Sequence, residues 1–398
     1  MVSPKFILGV GGAGLLIVLF SYVFLPLLFE SSYDSGITNT GQDSKVVPGE
    51  EIKVVTHLPT PENLRAIYMT ACVASMPNWR SDLKSLIEST ELNSVVIDVK
   101  DYTGNVSFVE GSSCYISDLQ DFISTLHQSG IYVIGRISVF QDPAYAKLHP
   151  ELAVQSKSGG VWKDRKGLAF IDVGAKPYWD YILNISHRAY ALGFDELNFD
   201  YVRYPSDGNM EDTKYTWTVG TSTGSTSSPL SKPEMLETFF SYLHDNLEGV
   251  VPVISVDLFG MTTTVASDMG IGQVLERALP YFDYIAPMVY PSHYPPGWNG
   301  FKDPALHPYE VIKLTMSEAK RREELWYLSR GIASSTQSKL RPWLQDFSLG
   351  VTYGPEEVRA QIQATYDASL SSWMLWSAGN RYTASALLPE TAPLRAGQ

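Results

Sequence analysis

The stretch GFDELNFDYVRYPSD, residues 193–207, joins an apolar strand to a polar and aromatic cluster. Its Phe, Leu and Tyr side chains favour a strand over residues 196–202, and Pro205 cannot continue a central strand because it has no backbone N–H. Asp200, Arg203 and Tyr204 therefore lie at the carboxyl end of a buried strand. Either a functional site or an ion pair that only stabilises the strand end would explain this pattern.

Eight short apolar runs, mostly separated by amphipathic stretches, indicate the fold. The predicted strands are residues 66–70, 94–99, 132–140, 196–202, 252–259, 284–290, 341–347 and 372–376. The predicted helices are residues 79–90, 116–129, 177–192, 232–247, 271–279, 308–324 and 355–369. Residues 325–328 (LWYL) compete for the seventh strand. This alternation predicts an α/β fold, a (β/α)₈ TIM barrel. A doubly wound open sheet is the alternative, but no glycine-rich phosphate loop follows the first strand.

The chain divides into three predicted segments. Residues 1–30 form an N-terminal membrane anchor, because residues 6–29 carry no charge and are long enough to cross a bilayer as one transmembrane helix. Lys5 on the short side places residues 1–5 in the cytoplasm and the rest outside, so the barrel domain would be extracytoplasmic. Residues 31–62, rich in Ser, Gly, Thr and Pro, form a flexible linker, and residues 63–398 form the barrel domain. A cleaved signal peptide is the alternative to the anchor.

Composition limits the classes of partner. The formal net charge of -13, from 43 acidic and 30 basic residues, argues against nucleic acid, whose phosphates require clustered Lys and Arg. Aromatic residues make up 12% of the chain, which suits stacking on sugar rings but also the filling of a large barrel. The two cysteines, Cys72 and Cys114, pair in an oxidising compartment or remain two thiols.

Polar residues recur where the predicted strands end. In TIM barrels the chemistry takes place at these carboxyl ends, which favours a functional site over a scatter of structural polar residues. The residues predicted to bind and orient a substrate are Asp98, Lys100, Arg136, Asn198, Arg203, Tyr204, Tyr290, His293, Trp343, Gln345, Asp346 and Trp376.

Two acids, Asp200 and Asp257, are the predicted catalytic pair. Neighbouring strands would bring both carboxyl groups into one pocket, and hydrolysis of a glycosidic bond uses such a pair. Arg203 would hold Asp200 ionised as nucleophile or stabiliser, which leaves Asp257 as the proton donor. The alternatives are an ion pair of Asp200 with Arg203 or Arg136, and a capping role for Asp257. Asp346 and Asp98 are the reserve candidates for the acid.

Other chemistries fit the sequence less well. The seven His residues are dispersed and form no HxxxH or HxH pair, so no metal centre is predicted. The run GVGGAG at residues 9–14 falls within the predicted membrane segment and suits helix packing rather than nucleotide binding. Neither a metal nor an organic cofactor is implied.

Several segments resemble a known family. GRISVFQDPAYAKLHPELAV, GGVWKDRKGLAFIDV, GFDELNFDYVRYPSDG, SVDLFGMTT, IGQVLE, YIAPMVYPSHYPPGW and RPWLQDF are similar, in the same order, to motifs of the glycosyl-hydrolase barrel family of bacterial exported proteins. The resemblance covers residues 65–380 and implies a TIM-type barrel, a polysaccharide-directed hydrolase, and acids at Asp200 and Asp257. The departures are the Ser/Thr/Gly-rich loop at 220–231 and the connection at 325–340.

The resulting hypothesis is a membrane-anchored, extracytoplasmic glycoside hydrolase. Its substrate would be a cell-envelope or extracellular polysaccharide, cleaved by a two-carboxylate mechanism. The alternative is a catalytically inactive barrel that binds glycan in envelope anchoring or sensing.

Overall fold

The computed structural model describes residues 55–218, 230–332 and 337–390. The predicted anchor, most of the predicted linker and most of the Ser/Thr/Gly-rich loop lie outside these residues. Within them, no helix is long and apolar enough to span a membrane.

Eight parallel strands close into a barrel, which confirms the predicted (β/α)₈ architecture and excludes the open sheet. The barrel strands are β1 (Arg65–Met69), β2 (Ser94–Lys100), β3 (Tyr132–Ser138), β5 (Glu196–Asp200), β7 (Ile254–Phe259), β8 (Tyr284–Met288), β9 (Trp343–Gln345) and β10 (Trp373–Trp376). Each strand pairs with the next barrel strand in sequence, and β10 returns to β1. Two short strands, β4 (Gln155–Ser156) and β6 (Thr213–Lys214), form a separate antiparallel pair.

Helices follow the strands and cover the barrel. They are α1 (Ala71–Ala74), α2 (Pro77–Glu88), α3 (Leu119–Gln128), α4 (Pro143–Leu148), α5 (Lys176–Ala191), α6 (Lys232–Leu247), α7 (Leu275–Ala278), α8 (Pro308–Ser329) and α9 (Pro355–Asp367). Helix α3 illustrates why these segments are helical and pack on the barrel. Its residues Phe122, Ile123 and Leu126 recur at helical spacing and form one buried face. Residues 325–328, the competitor for the seventh strand, belong to α8.

Two apolar layers follow from the alternation of side chains along the strands. Val95, Ile97 and Ile137 face outward into the large core between strands and helices. Residues of opposite parity, including Tyr68, Tyr132 and Trp343, fill the interior of the barrel. The interior becomes polar only towards the carboxyl ends of the strands, which is where a TIM barrel carries its functional groups.

The last residues of the predicted linker contact the amino-terminal end of the barrel. The backbone N–H of Leu58 donates to Asp195 Oδ1 at 2.6 Å, and the ring of His57 stacks on Tyr190 with centroids 4.1 Å apart. Thr60 Oγ1 lies 3.1 Å from the hydroxyl of Tyr132. The chain therefore enters the barrel at the end opposite the polar interior.

Candidate active site

A single guanidinium on β3 gathers the acids of three other barrel strands. The strand register places Asp98 beside Arg136, Arg136 beside Asn198, and Asn198 beside Ser255. Arg136 Nη1 donates to Asp98 Oδ1 at 2.6 Å, Nη2 donates to Asp200 Oδ2, and Nε lies 3.8 Å from Asp257 Oδ2. All four charged side chains are nearly inaccessible to solvent. Three carboxyl groups thus share one buried cation.

Asp257 has the most perturbed carboxyl group in this cluster. Its Oδ1 accepts hydrogen bonds from Trp343 Nε1 at 2.8 Å and from Asn198 Nδ2 at 2.9 Å. Burial, followed by repulsion from Asp200, raises the pKa of Asp257 to about 8, although Arg136 opposes the rise. Asp257 is therefore a neutral acid at pH 7, in the state required to donate a proton.

Asp200 accepts hydrogen bonds from different partners. Besides Arg136, it accepts the backbone N–H of Tyr201 at 2.5 Å. Tyr201 has a φ of 52°, a left-handed conformation that costs a non-glycine residue roughly 1–3 kcal/mol. This strained turn directs an amide at Asp200 and places the Tyr201 ring at the wall of the adjoining cleft.

Aromatic rings and Asp98 form the remaining wall of the cluster. Tyr68 stacks on Trp376 with centroids 4.0 Å apart, and Arg136 lies 5.1 Å from the Trp376 ring centroid. The Tyr68 hydroxyl donates to Asp98 Oδ2 at 2.5 Å. Burial raises the pKa of Asp98, while Arg136 and the Tyr68 hydroxyl lower it. The pair of rings offers an apolar face beside charged groups, as sugar-binding sites require.

A cleft of about 470 Å³ opens beside the cluster. Asp98, Arg136, Tyr201 and Trp376 line it, together with Asp101 and Tyr102 from the loop after β2. Asp98 and Arg136 are the members of the charged cluster that line this cleft, and Asp200 and Asp257 contact the same guanidinium. We call this space the catalytic cleft, after the roles proposed for Asp200 and Asp257.

The Cys72–Cys114 disulfide lies in the wall of the catalytic cleft. The sequence left open whether the two residues pair, and the structure joins them with their Cα atoms 4.6 Å apart. The bond ties α1 to the loop that carries Asp101 and Tyr102.

Several predicted residues lie with the cluster. Asn198 and Trp343 bond Asp257 directly. Tyr290 is buried, and its hydroxyl has no hydrogen-bond partner among the described residues. Burial and then the charge of Asp257 raise the pKa of Tyr290, so its hydroxyl remains a donor beside the acid pair. His293 is exposed and packs edge-on against Tyr290, with centroids 5.1 Å apart.

Lys100 does not reach the cleft, contrary to the prediction. The pairing of β2 with β3 shifts between Asp98 and Lys100, so that Lys100 lies opposite the outward-facing Ile137. Its ammonium group donates to the Ser138 carbonyl at 2.6 Å and pairs with Asp142 at 3.0 Å. Lys100 is therefore a buried structural cation outside the barrel.

Arg203 and Tyr204 do not lie with the charged cluster, where the prediction placed them. Arg203 forms no ion pair with Asp200; its Nη1 donates to the Tyr204 carbonyl and to Ser206 Oγ. The cation that holds Asp200 is Arg136, the alternative that the sequence left open. Tyr204 is fully buried, and its hydroxyl bonds Thr218 Oγ1 at 2.9 Å. The left-handed Tyr201 interrupts the strand alternation on which both placements depended.

Gln345 and Asp346 bond protein groups rather than facing an open pocket. Gln345 Oε1 accepts from the backbone and hydroxyl of Ser292, and its Nε2 donates to the Phe347 carbonyl. Asp346 accepts the backbone N–H and hydroxyl of Thr383. Both side chains fix loops at the barrel mouth, and the role of Asp346 as the reserve acid stays a prediction.

Tyr68, Asp101 and Tyr102 line the cleft but are not among the predicted site residues. Tyr68 precedes the end of β1, and the same strand-end argument that selected the other residues would have found it. Asp101 and Tyr102 sit in a loop whose course is set by Asp101 Oδ1, which accepts the N–H groups of Thr103 and Asn105. In the part of the chain that the structure describes, no group of three or more His, Cys, Asp or Glu residues is placed to hold a metal ion.

Comparison with known proteins gives a family and a fold. The profile of the family described as "Putative glycosyl hydrolase domain" matches residues 66–382. A hypothetical protein from Ruminiclostridium thermocellum ATCC 27405 is 30% identical over 48% of this chain and 96% of its own, with a TM-score of 0.41. No protein of curated function matches the sequence.

Two glycosidase structures share the barrel. The PgaB (BpsB) glycoside hydrolase domain from Bordetella bronchiseptica is 13% identical over 80% of this chain and 95% of its own, with a TM-score of 0.59. The alpha-L-fucosidase isoenzyme 2 from Paenibacillus thiaminolyticus is 11% identical over 82% of this chain and 47% of its own, with a TM-score of 0.56. At these identities the likeness concerns the fold alone.

Proposed function

Because the chain belongs to the family described as "Putative glycosyl hydrolase domain", we propose that it is a glycoside hydrolase whose catalytic pair is Asp200 and Asp257. The family and the glycosidase-like barrel support the class of reaction. The residues and the mechanism are argued from the geometry of the cluster.

The observation that carries the proposal is the contrast between the surroundings of two neighbouring carboxyl groups. Asp257 is a neutral acid at pH 7 because its pKa is raised to about 8, whereas Asp200 bonds a guanidinium and a backbone amide. Two carboxyl groups whose environments separate their protonation states provide the acid and the nucleophile that glycoside hydrolysis needs.

In this mechanism each member of the cluster has one task. Asp257 gives its proton to the glycosidic oxygen, while the Asp200 carboxylate attacks or stabilises the anomeric carbon. Arg136 holds Asp200 ionised and oriented. Trp343 and Asn198 donate to Oδ1 of Asp257, which leaves Oδ2 to carry the proton. Tyr68 and Trp376 provide the surface on which a sugar ring stacks.

A glycan-binding barrel without catalysis is the second candidate. It is favoured by the deep burial of Asp257, whose side chain is only 1% exposed, beside an aromatic wall that would bind sugar in either case. The two candidates differ in whether a glycosidic bond is broken.

A degradation screen on a broad panel of glycans separates the two candidates. We expect the wild type to release products from at least one glycan and Asp200→Asn to release about 10³-fold less or none, because the substitution removes the nucleophile. Asp118→Asn is the matched control, since it also removes an aspartate from an arginine pair, with Arg80, at a partly exposed site away from the cleft. Equal release by wild type and Asp200→Asn, or no release from any glycan, would reject the enzyme.

We further propose that the enzyme is anchored in the membrane and acts outside the cytoplasm on a cell-envelope or extracellular polysaccharide. The uncharged residues 6–29 support the anchor, and the Cys72–Cys114 disulfide supports an oxidising compartment.

A further inference from the structure

A second cleft of about 550 Å³ adjoins the catalytic cleft. Tyr102, Thr103 and Tyr201 line both spaces, so the two clefts share one wall. The opposite side of the second cleft is built by the long connection after β3, which includes Asp164, Lys166 and Phe170.

The connection that forms this cleft is itself a packed structure. Val154, Trp162 and Phe170 form a small apolar core of their own, and Trp162 Nε1 donates to the Asn209 carbonyl at 3.0 Å. The β4–β6 pair closes the same region. Such packing holds the cleft wall in place before any ligand arrives, which limits the ordering cost of binding.

Two cations that line the second cleft, Arg203 and Lys166, form no ion pair among the described residues. The guanidinium of Arg203 lies over the faces of Phe170 and Tyr201, 5.8 and 5.3 Å from their centroids, and only Nη1 donates, to the Tyr204 carbonyl and Ser206 Oγ. Half-buried arginines are normally paired, so this one has donors to offer a ligand.

The acids of the cleft are committed elsewhere. Asp164 Oδ1 accepts the backbone N–H groups of Lys166 and Leu168, which fixes the turn between them. Asp207 pairs with Arg165 at 3.3 Å. Asp164, Asp207 and Asp200 therefore act on Arg203 only at a distance, and none of them forms an ion pair with it.

We propose that the second cleft binds a carboxylate-bearing sugar of the same glycan chain whose bond is cleaved in the catalytic cleft. Arg203 and Lys166 bind the carboxylate, because a guanidinium and a carboxylate match in planar, two-pronged geometry. Tyr102 and Tyr201 stack the sugar between the two clefts. The substrate is accordingly an acidic polysaccharide long enough to occupy both. The cleavage part of this inference rests on the proposed hydrolase function, whereas the binding part does not.

Binding of acidic oligosaccharides to the full-length chain tests the inference. The probes are hexasaccharides from polygalacturonate, alginate and hyaluronan, each compared with its carboxyl-reduced counterpart by calorimetry at low ionic strength. We expect at least one acidic probe to bind tenfold or more tighter than its reduced form, and the preference to weaken as salt is added. Lys166→Ala and Arg203→Gln should each remove most of the preference.

Lys163→Ala is the matched control, because Lys163 is exposed on the same connection and does not line the cleft. It should retain the full preference. The inference is overturned if no acidic probe is preferred over its reduced form, or if the preference survives in both cleft variants. Preference for acidic probes without any hydrolysis in the glycan screen would reject the hydrolase and leave this binding site standing. Hydrolysis of neutral glycans, without a preference for any acidic probe, would support the hydrolase and reject this binding site.

Discussion

Arg136 is the residue on which the charged cluster depends. It bonds Asp98 and Asp200 and approaches Asp257, and all of these groups are removed from water. A buried charge that loses its partner costs several kcal/mol, whereas an exposed ion pair contributes about 1 kcal/mol or less. The cluster is therefore both the proposed catalytic apparatus and a point at which stability depends on pH.

Arg136→Met should lower the free energy of unfolding by about 3–5 kcal/mol at pH 7. Without the cation, the buried carboxyls take up protons in the folded state that the unfolded chain does not bind at this pH. The deficit should therefore grow as the pH rises and shrink towards pH 4. Urea unfolding at several pH values measures this, with Arg80→Met, which breaks a part-exposed pair, as the control. A deficit that does not change with pH would contradict the charge account.

Asp257→Asn should stabilise the protein at pH 7 while it slows the hydrolysis of substrates whose leaving group needs a proton. The folded pKa of about 8 exceeds the ordinary value, so the favourable contribution of the neutral carboxyl is complete below about pH 4 and is lost as the pH rises to 8. The part of this contribution that is already lost at pH 7 is at most about 4 kcal/mol, from 1.36 kcal/mol per pKa unit. An amide resembles the neutral carboxyl and does not titrate. Thermal unfolding should show that Asp257→Asn is more stable than wild type at pH 7 and equally stable near pH 4. If the variant is less stable than wild type by the same amount at both pH values, Asp257 is ionised in the folded protein.

At the scale of elements, the strands were predictable and the details of their ends were not. All eight barrel strands lie within a few residues of their predicted positions, because each is an apolar run between helix and turn signals. Strand alternation also placed Asn198, Asp200 and Asp257 correctly inside the barrel. That alternation fails wherever the backbone departs from a regular strand.

Two such departures explain the misplaced residues. A register shift after Asp98 turns Lys100 outward, and the left-handed Tyr201 ends the alternation before Arg203 and Tyr204. Neither departure can be predicted from the local sequence, because Val99 and Tyr201 are of residue types that are common in strands. The choice of Arg136 over Arg203 as the partner of Asp200 is a contact between distant strands, and one sequence does not determine it.

The disulfide should stabilise the loop that forms one side of the catalytic cleft. Closing a separation of 42 residues is worth about 3–4 kcal/mol in the chain-entropy description. The double variant Cys72→Ser, Cys114→Ser should lose about that much free energy of unfolding, and a reductant should bring the wild type to the same value. The reductant should leave the double variant unchanged. A wild type that is insensitive to the reductant, with both thiols free to label, would show that the bond does not form.

At the scale of the whole molecule, the charged cluster lies at one end of the barrel, and the chain enters the barrel at the other end. Residues 55–62 contact the amino-terminal end of the barrel, where Leu58 bonds Asp195. The proposed anchor would precede these residues in sequence. The proposed polysaccharide substrate and the proposed location outside the cytoplasm belong to one hypothesis.

Membrane attachment should depend on residues 6–29. We expect the wild type to remain in the membrane fraction after a carbonate wash, with the barrel accessible to protease added outside the cell. The variant Leu16→Lys, Ile17→Lys should lose attachment, because each central lysine costs about 2.5–3.5 kcal/mol of insertion free energy. Recovery of the intact wild-type chain in the soluble fraction would contradict the anchor.

The division of roles between Asp200 and Asp257 is tested most directly with aryl glycosides that differ only in the leaving phenol. A strongly acidic nitrated phenol leaves without a proton, whereas a weakly acidic phenol needs one. Asp257→Asn should therefore be about 10²–10⁴-fold slower than wild type on the weakly acidic phenol and close to wild type on the nitrated one, while Asp200→Asn is slow on both. An Asp257→Asn variant that is equally impaired on the two phenols would contradict its role as the proton donor.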